Sequence, residues 1–249
     1  MTQLLGLDFA DLDLDAAAAM IAARPAGARF AYLVTPNADH LVRLARDPAR
    51  YGPLYRDAAW RLLDSRVVAR LARGMGLATP PVVTGSDLAA RLLTGGVDPG
   101  ETVALLGGSA AMAAALRARL GLRHLRHHDP PMGFDADPDA LEASLSFLET
   151  AGARVAFLCV GSPRQEVVAR ALLRRGRATG TALCVGAALR FLAGEERRAP
   201  RAVQRAGMEW AWRLAQDPRR LARRYLLDDP AILALLWRER SALRRADRR

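Results

Sequence analysis

The chain has 249 residues, 37 basic against 26 acidic, a formal net charge of +11, and 51% hydrophobic residues. That balance is globular and excludes wholesale disorder, and the length suits one α/β domain with at most a modest appendage. No apolar run nears the roughly 18 residues of a membrane-crossing helix, and the acidic start MTQLLGLDFADLDLD lacks the basic-then-apolar order of a secretory signal. A soluble cytoplasmic protein is the expectation.

Near the start, Asp11-Leu12-Asp13-Leu14-Asp15 precedes AAAAMIAA, so these acids read as the capped, negatively charged start of a helix rather than as a metal-binding Asp-x-Asp. ARFAYLVTP (28–36) reads as a strand ending in a loop, and residues 38–50 and 53–63 carry apolar positions at helical spacing. His40, just past that strand end after Asn37-Ala38-Asp39, could serve as a cap or as a ligand contact. PPVVTGSDLAARLL predicts a short strand, a polar turn and a helix with Ser86 and Asp87 in its first turn.

ETVALLGGSAAMAAALRARLG (101–121) repeats the pattern, with Gly107-Gly108-Ser109 between strand and helix. Bare amides there could hold a phosphate, or merely close a tight turn. The turn is not GxGxxG. His124, His127 and His128 cluster without Cys or Glu at zinc spacing, and Asp135-Ala136-Asp137 lies in a Pro-rich loop; no metal site is expected at either. RVAFLCVGSPRQEVVARALLR (154–174) is a further strand and helix, and TALCVGAALRFLAG (181–194) opens with one more strand. Cys159 and Cys184 lie in these apolar runs and read as buried thiols. Gly161-Ser162-Pro163-Arg164-Gln165-Glu166 sends long polar side chains into the loop layer at a strand's carboxyl end. Short apolar runs, each followed by a helix, predict a mostly parallel sheet with helices on both faces and its ligands at the carboxyl ends of the strands.

After Gly194 the character changes. Residues 195–249 hold 15 arginines against 8 acidic residues, while residues 1–194 hold 22 against 18. There is no lysine, which points to coding bias as much as to selection, but the placement makes basicity a property of the tail. Such a tail wants phosphate, nucleic acid or an anionic membrane. It carries Trp210, Trp212 and Trp237 and no β-rich run, with a break at Asp228-Asp229-Pro230, so it reads as a helical appendage. Arg213, Arg219, Arg220, Arg223 and Arg224 recur at spacings that place several of them on one helical side, suited to phosphate oxygens or simply to water.

TPNADHL (35–41), LLDS (62–65), VTGSDL (83–88), LLGG (105–108), PPMGF (130–134), VGSPRQE (160–166), RRAP (197–200), GMEWAWRL (207–214) and DPRRLARRY (217–225) resemble, in order and spacing, glycosyltransferase family 26, the WecG/TagA/CpsF family of bacterial surface-polysaccharide enzymes. The resemblance runs from about residue 30 to residue 225. It implies a Rossmann-like core over 1–194 with a helical, Arg-rich appendage over 195–249. It also implies an inverting, metal-independent transfer, without a cofactor, from a UDP-sugar to a polyprenyl-diphosphate-linked acceptor at the inner face of the cytoplasmic membrane.

On that resemblance Asp64 is the general base, and Thr35 and Asn37 line its pocket. Thr84, Gly85, Gly107, Gly108, Gln165, Glu166 and Arg190 are assigned to substrate, and Arg213, Arg219, Arg220 and Arg223 to the diphosphate. An anionic membrane is the expected partner of the appendage, nucleic acid is not, and a homo-oligomer is possible. Three positions depart from the family's usual pattern: Asp64-Ser65 for Asp-Gly, Val82 for a basic residue, and Leu189-Arg190-Phe191 for Phe-Asp-Phe. Arg190 offers a planar fork matched to a uronate carboxylate, or else it points to solvent or pairs with Glu195 or Glu196. Three other classes stay open: a nucleotide-binding oxidoreductase on the same sheet, a nucleic-acid-binding protein using the arginine tail, and an inactive family member kept as a binding partner.

Overall fold

The apolar runs become one sheet in the computed structural model, which describes residues 1–25 and 27–246. A hairpin, β1 (Thr2–Leu4) and β2 (Leu7–Phe9), leads into α1 (Leu14–Ala22). There follow β3 (Ala31–Val34), α2 (Ala38–Arg46), α3 (Pro48–Arg56), β4 (Trp60–Arg61), α4 (Arg66–Gly74) and α5 (Gly85–Gly95). The second half of the core runs β5 (Thr102–Leu106), α6 (Ala110–Leu120), β6 (His124–His128), α7 (Pro138–Thr150), β7 (Val155–Leu158), α8 (Arg164–Arg175), β8 (Thr181–Cys184) and α9 (Ala188–Ala193). The tail is α10 (Arg201–Arg205), α11 (Glu209–Gln216), α12 (Pro218–Arg223), a π-helical turn Arg224–Asp228, and α13 (Ala231–Ala246).

The six core strands lie in the order β4-β3-β8-β7-β5-β6, all parallel. Alternation along each strand feeds two cores. Val34, Leu106, Leu158 and Cys184 face one layer; Leu33, Leu105, Phe157 and Leu183 face the other. α2, α3, α7 and α8 carry connections that step one way across the sheet, and they cover the first face; α6 steps the other way and covers the second. Right-handed crossovers require that division. The result is the Rossmann-like α/β architecture with a helical C-terminus.

Register aligns the loops. Val34 and Leu158 both pair with Cys184, and Leu158 pairs with Leu106, so four strands end at one height and their following residues share one rim. The tail returns to this body. Ile232 and Leu236 of α13 are buried in the first core layer, and Glu239 accepts the backbone N–H of Leu5 at 2.9 Å from each carboxylate oxygen.

Some local expectations fail. The window 53–63 is helical only to Arg56; Trp60–Arg61 pairs with β3 instead, because its neighbours Leu62 and Leu63 are drawn into the sheet. The strand expected in PPVV reduces to a single bridge between Leu63 and Val82. The histidine cluster is itself an edge strand, β6, of which Leu125 alone is fully buried; its polar residues suit an edge exposed to water. The short β1–β2 hairpin carries no periodicity long enough to announce it.

Candidate active site

Two adjoining cavities, about 650 and 340 Å³, lie over the carboxyl ends of β3, β4, β7 and β8, roofed by the tail. Asn37, Asp64, Ser86, Arg213, Arg224 and Tyr225 line both.

Asp64 is placed by backbone. Its N–H donates to the carbonyl of Pro36 at 3.0 Å, and its Oδ2 accepts the N–H of Gly85 at 3.1 Å. Gly85 opens α5, and a Cβ there would come within 3.1 Å of the Thr35 hydroxyl, which would have to shift to admit it. Thr35 is buried on the floor of the larger cavity and donates to the Cys184 carbonyl at 3.2 Å. Asp64 opens to the cavities on one side and is otherwise ringed by protein. That desolvation pushes its carboxyl up to about 7, against the Gly85 N–H and the Arg213 charge, which pull it down. A carboxylate poised there suits proton abstraction near neutrality.

Asn37 caps α2, its Oδ1 accepting the His40 N–H at 3.4 Å, and the same oxygen accepts from Arg224 Nη2 at 3.1 Å. His40 lines the larger cavity; burial foremost, then Arg224 and Arg43, hold its ring well below the usual histidine range, so it is neutral. Thr84 caps α5, accepting the Asp87 N–H at 3.0 Å and donating to the Asp87 carboxylate at 2.7 Å, and it lines the smaller cavity.

Gln165 and Glu166 part company. Gln165 lines the larger cavity, with Oε1 accepting the Gly186 N–H at 2.8 Å and Nε2 donating to Glu166 at 2.8 Å. Glu166 lines neither cavity: it is fully buried beneath, one carboxyl oxygen lacks a hydrogen-bond partner, and burial pushes its carboxyl up. Its carboxylate meets the Gln165 amide. Gly107 and Gly108 also line neither cavity. Both sit at left-handed φ in a turn tied to β6, where the Gly107 N–H meets the His128 carbonyl at 2.8 Å and the His127 ring meets the Gly108 carbonyl at 2.8 Å.

Arg190 stands on the rim of the larger cavity, 3.1 Å from Glu196 and 3.8 Å from Glu195, so its charge is already answered within the protein. Among the tail arginines, Arg213 stacks on the Phe191 ring and lines both cavities. Arg219 and Arg223 are exposed and line neither, Arg223 being 86% exposed beside Asp228 at 4.0 Å. The side chain of Arg220 lies outside the described residues. Arg224, which the helical spacing had marked with its neighbours, lines both cavities, and Arg198, in the loop before α10 where no periodicity could mark it, lines the smaller one.

The Asp-x-Asp stretches are occupied elsewhere. Asp13 caps α1, Asp11 meets the N-terminal amine, Asp15 pairs with Arg91 at 2.8 Å, and Asp137 caps α7. Among the described residues no three His, Cys, Asp or Glu are grouped to hold a metal ion, and no helix is long and apolar enough to cross a membrane.

The model of the glycosyl transferase WecG/TagA/CpsF family matches residues 2–246. The chain belongs to that family. This WecG/TagA/CpsF glycosyltransferase is therefore a transferase of cell-surface polysaccharide synthesis, in a family whose members take a sugar-nucleotide donor and a lipid-linked acceptor. Within this glycosyltransferase, Asp64 lies at the meeting of the two cavities, where two substrates would come together.

Proposed function

We propose that the protein is an inverting, metal-independent transferase that moves a sugar from a UDP-sugar to a polyprenyl-diphosphate-linked acceptor. The observation that carries the reading is Asp64, held by Gly85 and Pro36 at the junction of both cavities with its carboxyl raised to about 7. Asp64 takes the proton of the acceptor hydroxyl as that oxygen attacks the anomeric carbon. The bond from that carbon to the diphosphate oxygen breaks on the opposite face, its electron pair leaves with UDP, and the configuration inverts.

The larger cavity suits the donor. Gln165, Gly186 and the loop after β3 form its floor, and Arg213 supplies positive charge to the departing diphosphate. Employment of the Asp-x-Asp acids as helix starts supports a metal-free route. The pairing of Arg190 with two glutamates supports a donor chosen without reading a uronate.

The tail is the membrane-facing part in this reading, at the inner face of the cytoplasmic membrane. Leu226, Leu227, Leu233 and Trp237 are exposed together with Arg223, Arg238, Arg244 and Arg245, a mixture suited to an anionic bilayer surface. Screening UDP-sugars for transfer onto a polyprenyl-diphosphate sugar, with anionic vesicles and with EDTA present, tests the whole. Transfer that survives EDTA is expected. Absence of transfer with every UDP-sugar removes the donor assignment, and a rate abolished by EDTA and restored by Mg²⁺ or Mn²⁺ removes the metal-free step.

A further inference from the structure

A carboxyl stands beneath the larger cavity where an apolar side chain would pack at lower cost. Glu166, in the first turn of α8, is fully buried, and its Oε2 has no hydrogen-bond partner. Its Oε1 accepts a Gln165 Nε2–H at 2.8 Å, and Gln165, itself only 2% exposed, lines the cavity. From the other side, the N–H of Gly186 in the loop after β8 donates to the Gln165 Oε1 at 2.8 Å. The Gln165 amide is therefore gripped at both ends, by groups of opposite hydrogen-bonding sense.

A half-turn about its last torsion swaps the oxygen and nitrogen of a glutamine amide with almost no change of shape. Turned over here, the amide would set its oxygen against the Glu166 Oε1 and its N–H groups against the Gly186 N–H. Glu166 Oε1 accepts whether the carboxyl is ionised or carries its proton on Oε2, so it holds the amide nitrogen on its own side. One Gln165 N–H is used on Glu166, and the second remains for the cavity. We propose that Glu166 is a positioning residue for the donor: it fixes the Gln165 amide so that an N–H meets an acceptor oxygen of the UDP-sugar, on its diphosphate or on its sugar. This rests on the UDP-sugar reading of the larger cavity and adds the residue, outside that cavity, that sets the polarity of its wall.

The test compares full-length variants by calorimetry with UDP and by kcat and KM for the UDP-sugar that supports transfer. Glu166→Met keeps the volume and removes the acceptor, and Gln165→Met removes the amide. Glu166→Met should raise KM for the donor by about fivefold to tenfold, the worth of one hydrogen bond, with kcat little changed. Glu166→Gln, which keeps an acceptor oxygen, should restore most of the loss. The double variant should be no worse than Gln165→Met alone, because Glu166 acts only through Gln165. UDP affinity that falls alongside places the oxygen on the diphosphate; UDP affinity that holds while KM rises places it on the sugar. Glu166→Asp keeps the charge and shortens its reach by one methylene, so it carries the same expectation should Glu166→Met not fold. The proposal is overturned if KM and UDP affinity stay as in the natural chain, or if the losses at 165 and 166 add, as a merely structural role would make them. Failure of the UDP-sugar reading looks different: UDP then does not bind the natural chain, and the proposal falls with it.

Discussion

The Oδ2 of Asp64 accepts the backbone N–H of Gly85 at 3.1 Å, which ties the end of the β4 segment to the first turn of α5. The amide anchors one carboxylate oxygen in a fixed direction. Removing the carboxylate while keeping an acceptor at that point separates chemistry from architecture. Asp64→Asn should retain the Gly85 contact and lower kcat by about 10²–10⁴-fold, the usual worth of a general base, with UDP affinity unchanged. Single-turnover assays with a UDP binding isotherm check it, and near-normal turnover in the folded variant would take Asp64 out of the mechanism.

The raised carboxyl of Asp64 also sets a pH signature. Burial carries it to about 7, and the base works only without its proton, so kcat/KM should rise with pH up to about 7 and level above. Stability runs the other way. The native carboxyl keeps its proton to about 7, whereas an exposed aspartate releases it near 3.8, so across that window the folded state binds more protons and its stability falls as pH rises. Asp64→Asn should therefore gain stability relative to the natural chain at pH 8 and lose that gain at pH 4. Urea titrations at the two pH values decide.

Charge in the tail divides by position. Arg213 lines both cavities, whereas Arg219 and Arg223 are exposed and line neither. Arg213→Ala should lower kcat/KM by about 10²-fold, comparable to loss of one charged donor on a developing anion. Arg219→Ala and Arg223→Ala should leave turnover within about threefold and weaken attachment to anionic vesicles by about 1 kcal/mol each. Vesicle sedimentation beside kinetics in detergent shows which group of arginines serves which role.

The last helix is expected to hold the core as well as the membrane. Leu236 is fully buried against the first core layer, while its neighbour Trp237 is mostly exposed. Leu236→Ala should cost about 2–5 kcal/mol of folding stability, the range for a large-to-small core change. Trp237→Ala should change stability by roughly 0.5 kcal/mol or less and still reduce vesicle attachment. Equal denaturation midpoints for the two variants would overturn the division of labour along α13.

The sequence by itself determined the parallel sheet with helices on both faces, because four-residue apolar runs and 3.6-residue periodicity are local signals. It also marked the acids at Asp13 and Asp137 as helix starts, since a cap bonds within three residues of itself. The motif order was enough to mark Asp64, Thr35, Asn37 and Gln165, all of which line the two cavities. Tertiary structure alone decided the rest. Glu166 follows Gln165 by one residue, yet the first turn of α8 turns it into the core; Gly107 and Gly108 follow a strand as expected, yet β5 lies on the far side of β7 from the cavities' centre and its turn is tied to β6. Which arginines line the cavities was settled by how the tail returns to the core: Arg198, Arg213 and Arg224 line them, whereas Arg219 and Arg223 stay in water. Periodicity names the face of a helix that is apolar, but the direction in which its polar face looks is set by contacts hundreds of residues apart in the chain, such as Glu239 on Leu5.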